Sequence, residues 1–371
     1  MHQSIDFTCP EISTQVSGRL GCITLNRPRA LNALTLPMVR ALASALQAWR
    51  DDPQVQAVAI RGMGKDGPFA AFCAGGDIRF FHQAMLQGDA ELEDFFTEEY
   101  ALNHLIHNYP KPYIAFMDGI VMGGGMGVSQ GASLRIVTRR TRMAMPETQI
   151  GLFPDVGGGW FLARCPGHSG EWLALSSEVI GAGEALTLGL ADTCFDPDSL
   201  HDAWLSLAGL PEYSSTSLLA WQTRYRVSAP VCTQPLDLIQ RCFQHTTVHA
   251  IVHELESEGG EWACRTANQL CTHSPLMQEV TLAQIRRGAG MSLADELRME
   301  RDMVRHCFNT RHLGRFMSAT DTMEGIRALA IDKDRKPSWN PPKLDQVSTE
   351  MVSGFFVSPW PKQAHPLRHL V

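Results

Sequence analysis

Residues 113–127 read YIAFMDGIVMGGGMG, and this stretch decides the fold class. The apolar run from Tyr113 to Met117 predicts a buried strand, and the glycines that follow predict a turn into a helix beginning near Gly124. A helix that starts directly after a strand is typical of an α/β arrangement. The first amides of such a helix have no partner within it, so they favour an anion or a developing negative charge.

The same alternation of strands and helices precedes this stretch. Residues 13–25 predict strands, Thr35 is placed to cap a helix, and Val55 to Ile60 predicts another short strand. Phe69 to Cys73 predicts a further strand, and the polar-rich residues 80–108 predict helix. The sequence therefore predicts an α/β fold with mainly parallel strand pairing.

The character of the chain changes in its second half. From Ser215 onward strand signals nearly vanish and long helical patterns dominate, for example over residues 293–307. Prolines interrupt the pattern near residues 205–235, which indicates a domain change. We therefore expect a core over residues 1–215 that carries the binding and catalytic loops, and a mainly helical region over residues 216–371.

The composition is that of an ordinary globular protein. The 371 residues are 44% hydrophobic and 19% charged, with a net charge of −7. This negative charge argues against general binding to nucleic acid or anionic membranes, although a local basic patch for a phosphorylated ligand stays compatible with it. No apolar run approaches the length of a membrane-spanning helix.

Cysteine usage and the start of the chain bear on the compartment. The ten cysteines are scattered without a C-x-x-C pair and several lie in apolar runs, which predicts buried reduced thiols rather than a disulfide framework. The start MHQSIDFTCPEIS lacks a charged segment followed by an apolar one, so no signal or transit peptide is expected. We therefore expect a cytoplasmic protein.

A second glycine loop, Ala74-Gly75-Gly76-Asp77, also follows a predicted strand and opens a predicted helix. In the simpler interpretation it is a tight turn with Asp77 at the helix start, where the helix dipole favours an acid. In the alternative, the Gly76 amide faces a pocket. Together with the triple glycine Gly123-Gly124-Gly125, this loop would supply the two backbone donors of an oxyanion hole. Losing one such donor raises the activation barrier by about 3 kcal/mol.

Two carboxylates are the candidate catalytic groups. Glu147 and Asp155 stand eight residues apart in MPETQIGLFPDVGGG, among apolar residues and glycines. A glutamate is by default a surface residue, and Asp155 also fits a turn. Carboxylates in a poorly hydrated pocket can instead act as base, acid or nucleophile, because burial and mutual repulsion separate their pKa values. With the glycine loops, this indicates carbonyl chemistry.

Other motifs are weak or missing. His245, His249 and His253 share a helical spacing that suits a metal, but their polar neighbours indicate a solvated helix, so no metal site is predicted. Residues 62–67 match a dinucleotide-type G-x-G-x-x-G, but a strand follows where a helix is required. A G-x-S-x-G elbow and a Walker A loop are both missing, which disfavours α/β-hydrolase esterases and P-loop enzymes.

Several motifs together carry a family resemblance. In order and spacing, NRPRALNAL (residues 26–34), FCAGGDIR (72–79), the triple glycine and MPE (145–147) resemble the crotonase, or enoyl-CoA hydratase/isomerase, superfamily. Within it, the chain looks most like the 3-hydroxyisobutyryl-CoA hydrolase branch. The pieces specific to this branch are EEY (98–100), MPETQIGLFPDVGGG (145–159) and IDKD (331–334) with Pro337 and Trp339.

The resemblance implies a spiral of ββα units, with a helical C-terminal region that helps to close the active site. It implies a coenzyme A thioester as ligand and no metal or redox cofactor. The oxyanion-hole amides carry over to Gly76 and Gly124, the catalytic carboxylate to Glu147, and its partner to Asp155. Glu99 matches a further substrate-pocket acid.

The remaining substrate-binding residues also follow from the resemblance. Arg29 lies where the family holds the adenine and phosphate end of CoA, and Ala74 and Asp77 flank the first glycine loop. Oligomeric state is left open, with a homo-oligomer among the alternatives.

One difference from typical members of the superfamily distinguishes hydration from thioester hydrolysis. Typical hydratases of this superfamily use two glutamates to hold the attacking water, and the first of them stands at the position of Gly127 in this chain. They also have a glycine at the position of Asp155. The resemblance therefore implies hydrolysis of 3-hydroxyisobutyryl-CoA, and of 3-hydroxypropionyl-CoA as a second substrate, in valine breakdown. An enoyl-CoA hydratase or isomerase and a non-catalytic CoA-binding scaffold are the alternatives.

Overall fold

The computed structural model describes residues 9–371. Residues 1–8 contain most of the segment on which the targeting-peptide prediction rests, so that prediction lies largely outside the described residues. Nine strands are found in the described part of the chain, and they have the following bounds. They are β1 Ile12–Ser17, β2 Leu20–Leu25, β3 Ala57–Gly64, β4 Gly67–Pro68, β5 Tyr113–Met117, β6 Ile120–Met122, β7 Leu134–Thr138, β8 Arg142–Ala144 and β9 Thr193–Phe195.

The α-helices of the same residues become more frequent toward the C-terminus. They are α1 Leu36–Asp51, α2 Ile78–Gln87, α3 Glu91–His107, α4 Gly124–Gln130, α5 Gly158–Leu162, α6 Ser169–Ser176, α7 Ala182–Thr187, α8 Leu200–Ala208, α9 Ser215–Tyr225, α10 Leu236–Phe243, α11 Val248–Glu258, α12 Glu261–Leu270, α13 Pro275–Gly288, α14 Leu293–Phe308, α15 Asp321–Ile326 and α16 Thr349–Ser353. A π-helical turn, Arg327–Ile331, follows α15 directly. No helix of the described chain is long and apolar enough to cross a membrane.

The main sheet has the order β1-β2-β3-β5-β7-β9. The short strand β4 lies outside this order and pairs antiparallel with β3. β1 is antiparallel to β2, and every later neighbour in this order is parallel. β6 and β8 form a separate parallel pair. Every residue of β2 and of β5 is buried, as expected for strands covered on both faces. The predicted α/β class with parallel pairing is therefore confirmed.

The contacts within the chain define two compact units that interleave along the sequence. The first contains the described residues through Gly76, 102–144 and 179–234, and the second contains 77–101, 145–178 and 235–371. The first unit holds the sheet, and the second is built from helices and turns. The proposed boundary between residues 215 and 216 stays a prediction.

Each unit has its own aromatic core. In the first, Phe116 of β5 packs on Trp204 of α8, with ring centroids 5.3 Å apart. In the second, Phe81 of α2 packs on Phe95 of α3 at 4.8 Å, and Phe308 of α14 joins the same group. Rings in edge-to-face contact fix the elements that carry them, so the loops between these elements start from rigid ends.

Two local expectations had different outcomes. Thr35 caps α1 as predicted, since its hydroxyl oxygen accepts the Met38 amide at 3.4 Å. The predicted strand from Phe69 to Cys73 is wrong. Phe69 and Ala70 have φ angles of 74° and 65°, which no strand accommodates, and only Cys73 pairs, through an isolated parallel bridge to Val121.

Candidate active site

The two glycine loops of the first unit lie side by side. Cys73 donates its amide to the Ile120 carbonyl at 2.9 Å, and Met122 donates to the Cys73 carbonyl at the same distance. Gly75 has a φ of +109°, and a side chain there would stand 3.7 Å from the Gly124 nitrogen. Glycine is required at this position by its positive φ, and the short contact brings the two loops together.

The Gly76 and Gly124 amides have no hydrogen-bond acceptor within the described residues. Gly124 is the first residue of α4 and follows Gly123, whose φ is +47°. Unpaired amides in adjacent loops are what an oxyanion hole needs, so the geometry supports the predicted role of both residues, which stays a prediction.

The other residues predicted to bind substrate have simpler surroundings. Asp77 caps α2, its carboxylate accepting the Arg79 and Phe80 amides at 3.2 and 3.3 Å, as the turn interpretation expects. Ala74 is half-buried. Arg29 lies exposed on the short turn Pro28–Ala30 and makes no hydrogen bond or ion pair within the described chain. Their roles in binding stay predictions.

Three predicted acids are buried in the second unit. Glu147 opens a 3-10 turn, Glu147–Ile150, and is 6% exposed, so the surface interpretation of this residue is wrong. Asp155 is also 6% exposed, and Glu99 of α3 is 2% exposed. One carboxylate oxygen of Glu147 and one of Glu99 have no hydrogen-bond partner within the described residues. Burial without partners is costly for a carboxyl group, which indicates a functional role.

These three carboxyl groups influence one another. Burial raises the pKa of Glu147 well above its usual range, and the charge of Asp155 raises it further. Burial likewise raises the pKa of Glu99, to which Asp155 and then Glu147 add. The pKa of Asp155 rises only to about 6, because a hydrogen bond from Tyr100 opposes the effect of burial. Asp155 is therefore the acid of the three that ionises most easily.

Tyr100 is a site residue that the sequence analysis did not assign. Its hydroxyl donates to the Asp155 carboxylate at 2.8 Å, and its ring is fully buried. The EEY motif that carries Glu99 already contained this residue. Its partner stands 55 residues away in the sequence, so no local pattern could have connected the two.

The turn that presents Glu147 is held by a polar network. The Thr148 hydroxyl lies 3.0 Å from the Ser177 hydroxyl and 3.1 Å from Nδ1 of His273. Burial lowers the pKa of His273 to about 4, so this ring is neutral at physiological pH. At the end of the turn, the Gly151 carbonyl accepts the Thr322 hydroxyl at 2.6 Å.

The histidines considered for a metal do not share one helix. His245 precedes α11, which begins at Val248, whereas His249 and His253 lie on it. Nε2 of His245 is 3.7 Å from the Glu254 carboxylate. Within residues 9–371, no group of three or more histidine, cysteine or acidic side chains has an arrangement that could hold a metal ion.

A family model and the most similar relatives agree on the family of this chain. Residues 20–356 match the family model described as enoyl-CoA hydratase/isomerase. The 3-hydroxyisobutyryl-CoA hydrolase, mitochondrial, of Xenopus tropicalis is 38% identical over 92% of this chain and 87% of its own length. The human protein of the same name is 35% identical over 94% of this chain and 89% of its own length.

Two solved structures share the fold over almost the whole chain. A carnitinyl-CoA dehydratase from Mycobacterium thermoresistibile superposes with a TM-score of 0.83 and 35% identity, covering 94% of this chain and 97% of that one. An enoyl-CoA hydratase from Rhodobacter sphaeroides gives a TM-score of 0.82 and 36% identity, covering 94% of this chain and 98% of that one. The predicted crotonase-like fold is confirmed.

The expected cytoplasmic location is contradicted by these comparisons. The relatives from Xenopus tropicalis, Xenopus laevis and Homo sapiens all carry the word mitochondrial in their names. All ten cysteines of the chain are unpaired thiols, but the expectation that they are buried is wrong for Cys264 and Cys271, which are exposed. Such thiols argue only against an oxidising compartment, so they could not have distinguished cytoplasm from mitochondria.

Proposed function

We propose that this chain, which belongs to the enoyl-CoA hydratase/isomerase family, hydrolyses the thioester of 3-hydroxyisobutyryl-CoA to CoA and the free hydroxy acid. The observation that carries the proposal is the group of three buried acids, Glu99, Glu147 and Asp155, in a chain whose relatives bear that enzyme's name. An ordinary folded core does not keep three neighbouring carboxyl groups away from water, since each costs stability.

In the proposed reaction, the amides of Gly76 and Gly124 bind the thioester oxygen as negative charge develops on it. Glu147 acts in its ionised form by one of two routes. Its carboxylate attacks the carbonyl carbon, the CoA thiolate leaves, and water opens the resulting mixed anhydride. In the other route, Glu147 takes a proton from a water molecule, whose oxygen attacks the same carbon. The C–S bond then breaks, and CoA leaves as the thiolate, which takes up that proton.

Asp155 and Glu99 are proposed to recognise the 3-hydroxyl group of the acyl chain. An ionised Asp155 accepts a hydrogen bond from that hydroxyl, and a protonated Glu99 donates one to it. A buried site built for a hydroxyl rejects an acyl group without it, because its polar groups then stay unpaired. We expect 3-hydroxypropionyl-CoA to react as well, since one methyl group changes binding by only about 1–3 kcal/mol.

Hydration of an enoyl-CoA is the second candidate, and the names of the two solved structures favour it. Against it stands Gly127, which lies buried in α4 and has no side chain where the resemblance places a hydratase glutamate. We therefore assign the chain to thioester hydrolysis in valine catabolism, with CoA as part of the substrate and no separate cofactor.

Release of CoA thiol from three substrates tests this proposal. The substrates are 3-hydroxyisobutyryl-CoA, isobutyryl-CoA and crotonyl-CoA. We expect fast thiol release from the hydroxylated substrate only. Loss of the enoyl absorbance of crotonyl-CoA without thiol release would assign the chain to hydration instead. If all three substrates stay unchanged, other acyl-CoA thioesters are tested next, and a chain that binds CoA but reacts with none of them would be a CoA-binding scaffold.

A further inference from the structure

The triple glycine Gly157-Gly158-Gly159, directly after Asp155, has no part in the proposed reaction. Two of its amides donate to a single buried acid of α14. The Gly157 amide reaches one carboxylate oxygen of Glu300 at 2.7 Å, and the Gly159 amide reaches the other at 3.2 Å. One carboxylate therefore spans the backbone turn that follows Asp155.

A buried amide side chain extends this connection to the other side of Asp155. Nε2 of Gln284, on α13, donates to the Pro154 carbonyl at 2.8 Å and to Glu300 at 3.1 Å. Pro154 immediately precedes Asp155 in the chain. The backbone on both sides of the aspartate is thus held by one hydrogen-bonded group, whose centre is Glu300.

Glycine is favoured here by the backbone conformation at Gly157 and by the close approach of α14 at Gly159. Gly157 has a φ of +85°, a conformation that other residues rarely adopt. A side chain at Gly159 would stand 1.8 Å from the carboxylate of Glu296, the second buried acid of α14. A side chain at Gly159 would therefore displace the Glu296 carboxylate from its present position. The glycine motif thus brings the turn into contact with the two acids.

Glu296 and Glu300 form a pair one helical turn apart, and both are 0% exposed. Burial raises the pKa of Glu296 to about 8 and raises that of Glu300 as well. Two such groups in one apolar site do not both ionise at neutral pH. Glu300 accepts the Gly157, Gly159 and Gln284 donors, whereas Gln284 reaches one oxygen of Glu296 only at 3.5 Å and the other oxygen has no partner within the described residues. The hydrogen bonds that hold the turn therefore depend on Glu300.

We propose that Glu300 is a positioning residue, which holds the Gly157–Gly159 turn and thereby sets the direction in which Asp155 meets the 3-hydroxyl of the substrate. The side chain of Asp155 is held by Tyr100, and the backbone that begins two residues after it is held by Glu300. This inference rests on the proposed function in so far as it assigns hydroxyl recognition to Asp155. The contact between Glu300 and the turn does not depend on that function.

Glu300→Gln replaces the carboxylate that accepts both glycine amides by an amide of nearly the same volume. Whichever way the new amide is turned, its NH₂ group faces one of the two glycine amides. The matched control is Glu296→Gln, because Glu296 is equally buried one helical turn away on α14 but accepts neither glycine amide. The measured quantity is the ratio of kcat/KM for 3-hydroxyisobutyryl-CoA to kcat/KM for isobutyryl-CoA. We expect Glu300→Gln to lower this ratio about 10- to 100-fold and the control to leave it near the wild-type value.

A double-mutant cycle with Asp155→Asn separates positioning from general damage. If Glu300 acts through Asp155, Glu300→Gln lowers the ratio no further once Asp155 has been replaced. The proposal is overturned if Glu300→Gln slows both substrates equally, or if its effect on the ratio adds fully to that of Asp155→Asn. If Glu300→Gln does not fold, Glu300→Asp serves in its place, since it withdraws the carboxylate by one methylene.

Hydrogen exchange at the Gly157 and Gly159 amides gives a readout that needs no substrate. We expect faster exchange in Glu300→Gln than in wild type or Glu296→Gln, because the two amides lose a shared acceptor. Unchanged exchange would overturn the positioning role. A wild-type enzyme without preference for the hydroxylated substrate would instead overturn the proposed function, while the exchange result would still decide whether Glu300 holds the turn.

Discussion

Glu147 and Glu99 are carboxyl groups that folding removes from water without giving every oxygen a partner within the described residues. Such groups lower stability, and chains retain them where their chemistry is needed. Asp155 differs because the Tyr100 hydroxyl favours its ionised form. Three acids of the same chemical type therefore have different protonation behaviour, as a site that must both accept and donate protons requires.

Removing the acid at Glu147 is expected to stabilise the protein in a pH-dependent way. Its raised pKa means that the unfolded chain loses this proton at lower pH than the folded chain. Stability therefore falls as pH rises from about 4.3 toward the folded-state pKa. Glu147→Gln lacks this loss, so its Tm should exceed that of wild type by on the order of 2 °C or more at about pH 8 and by less at about pH 5. An equal difference in Tm at both pH values would contradict buried-acid behaviour.

Arg29 is expected to contribute to CoA binding and not to the chemical step. Its side chain is exposed and makes no interaction within the described chain, so its removal should leave the fold intact. Arg29→Ala should raise KM about 3- to 10-fold with kcat unchanged, since a solvent-exposed charge contributes about 1 kcal/mol. Arg19→Ala, at another exposed arginine, is the matched control, and equal KM values in the two variants would remove Arg29 from the CoA site.

At the scale of elements, the Glu147–Ile150 turn is fixed by close backbone contacts. A side chain at Gly325 of α15 would stand 2.3 Å from the carbonyl carbon of Ile150. A side chain at Gly151 would stand 2.4 Å from the Asp321 carbonyl oxygen. The Glu147–Ile150 turn and α15 thus touch through two glycines, and this contact fixes the position of the turn that carries Glu147.

Gly325→Ala should therefore destabilise the protein and slow catalysis together. The added methyl group meets backbone, which cannot rotate away, so we expect a loss of about 1–3 kcal/mol in the free energy of unfolding measured with urea. Gly260→Ala is the control, because a side chain at Gly260 meets nothing within 4 Å. Equal stability of the two variants would show that α15 moves freely against the turn.

The sequence predicted the elements whose signal is local. The apolar run of β5 and the glycines before α4 were sufficient to place both, with the bounds Tyr113–Met117 and a helix start at Gly124. The segment from Phe69 to Cys73 failed because apolar composition does not report the positive φ angles at its start. The contacts around Glu147 and Asp155 could not be predicted. Tyr100 donates to Asp155, His273 lies against the neighbouring Thr148, and Glu300 accepts the Gly157 amide, and each of these pairs is distant in sequence and carries no spacing signal.

At the scale of the whole molecule, the division into units does not follow the chain. Residues 77–101 and 145–178 belong with the C-terminal helices, although composition groups them with the sheet. A change in pattern along the sequence detects where strands stop, but not which segments pack together. The resemblance supplied the fold, the acids and the glycine loops, whereas the polar contacts that hold them come only from the structure.

Free CoA, the proposed product, should stabilise the folded chain. A ligand that binds only the folded state raises the free energy of unfolding by about 2.7 kcal/mol at a concentration about 100 times its Kd. We expect Tm to rise with CoA concentration, and to rise less with pantetheine, which lacks the nucleotide. A Tm that does not respond to CoA would argue against a CoA thioester as substrate.

The most direct test of the central claim is thiol release from 3-hydroxyisobutyryl-CoA by Glu147→Gln beside Glu171→Gln. Glu171 is also a buried glutamate of the second unit, and its carboxylate lies 2.8 Å from Nδ1 of His168. We predict that kcat falls about 100- to 10,000-fold in Glu147→Gln and stays near the wild-type value in Glu171→Gln. A folded Glu147→Gln variant that releases CoA at the wild-type rate would contradict the assignment of Glu147 as the catalytic carboxylate.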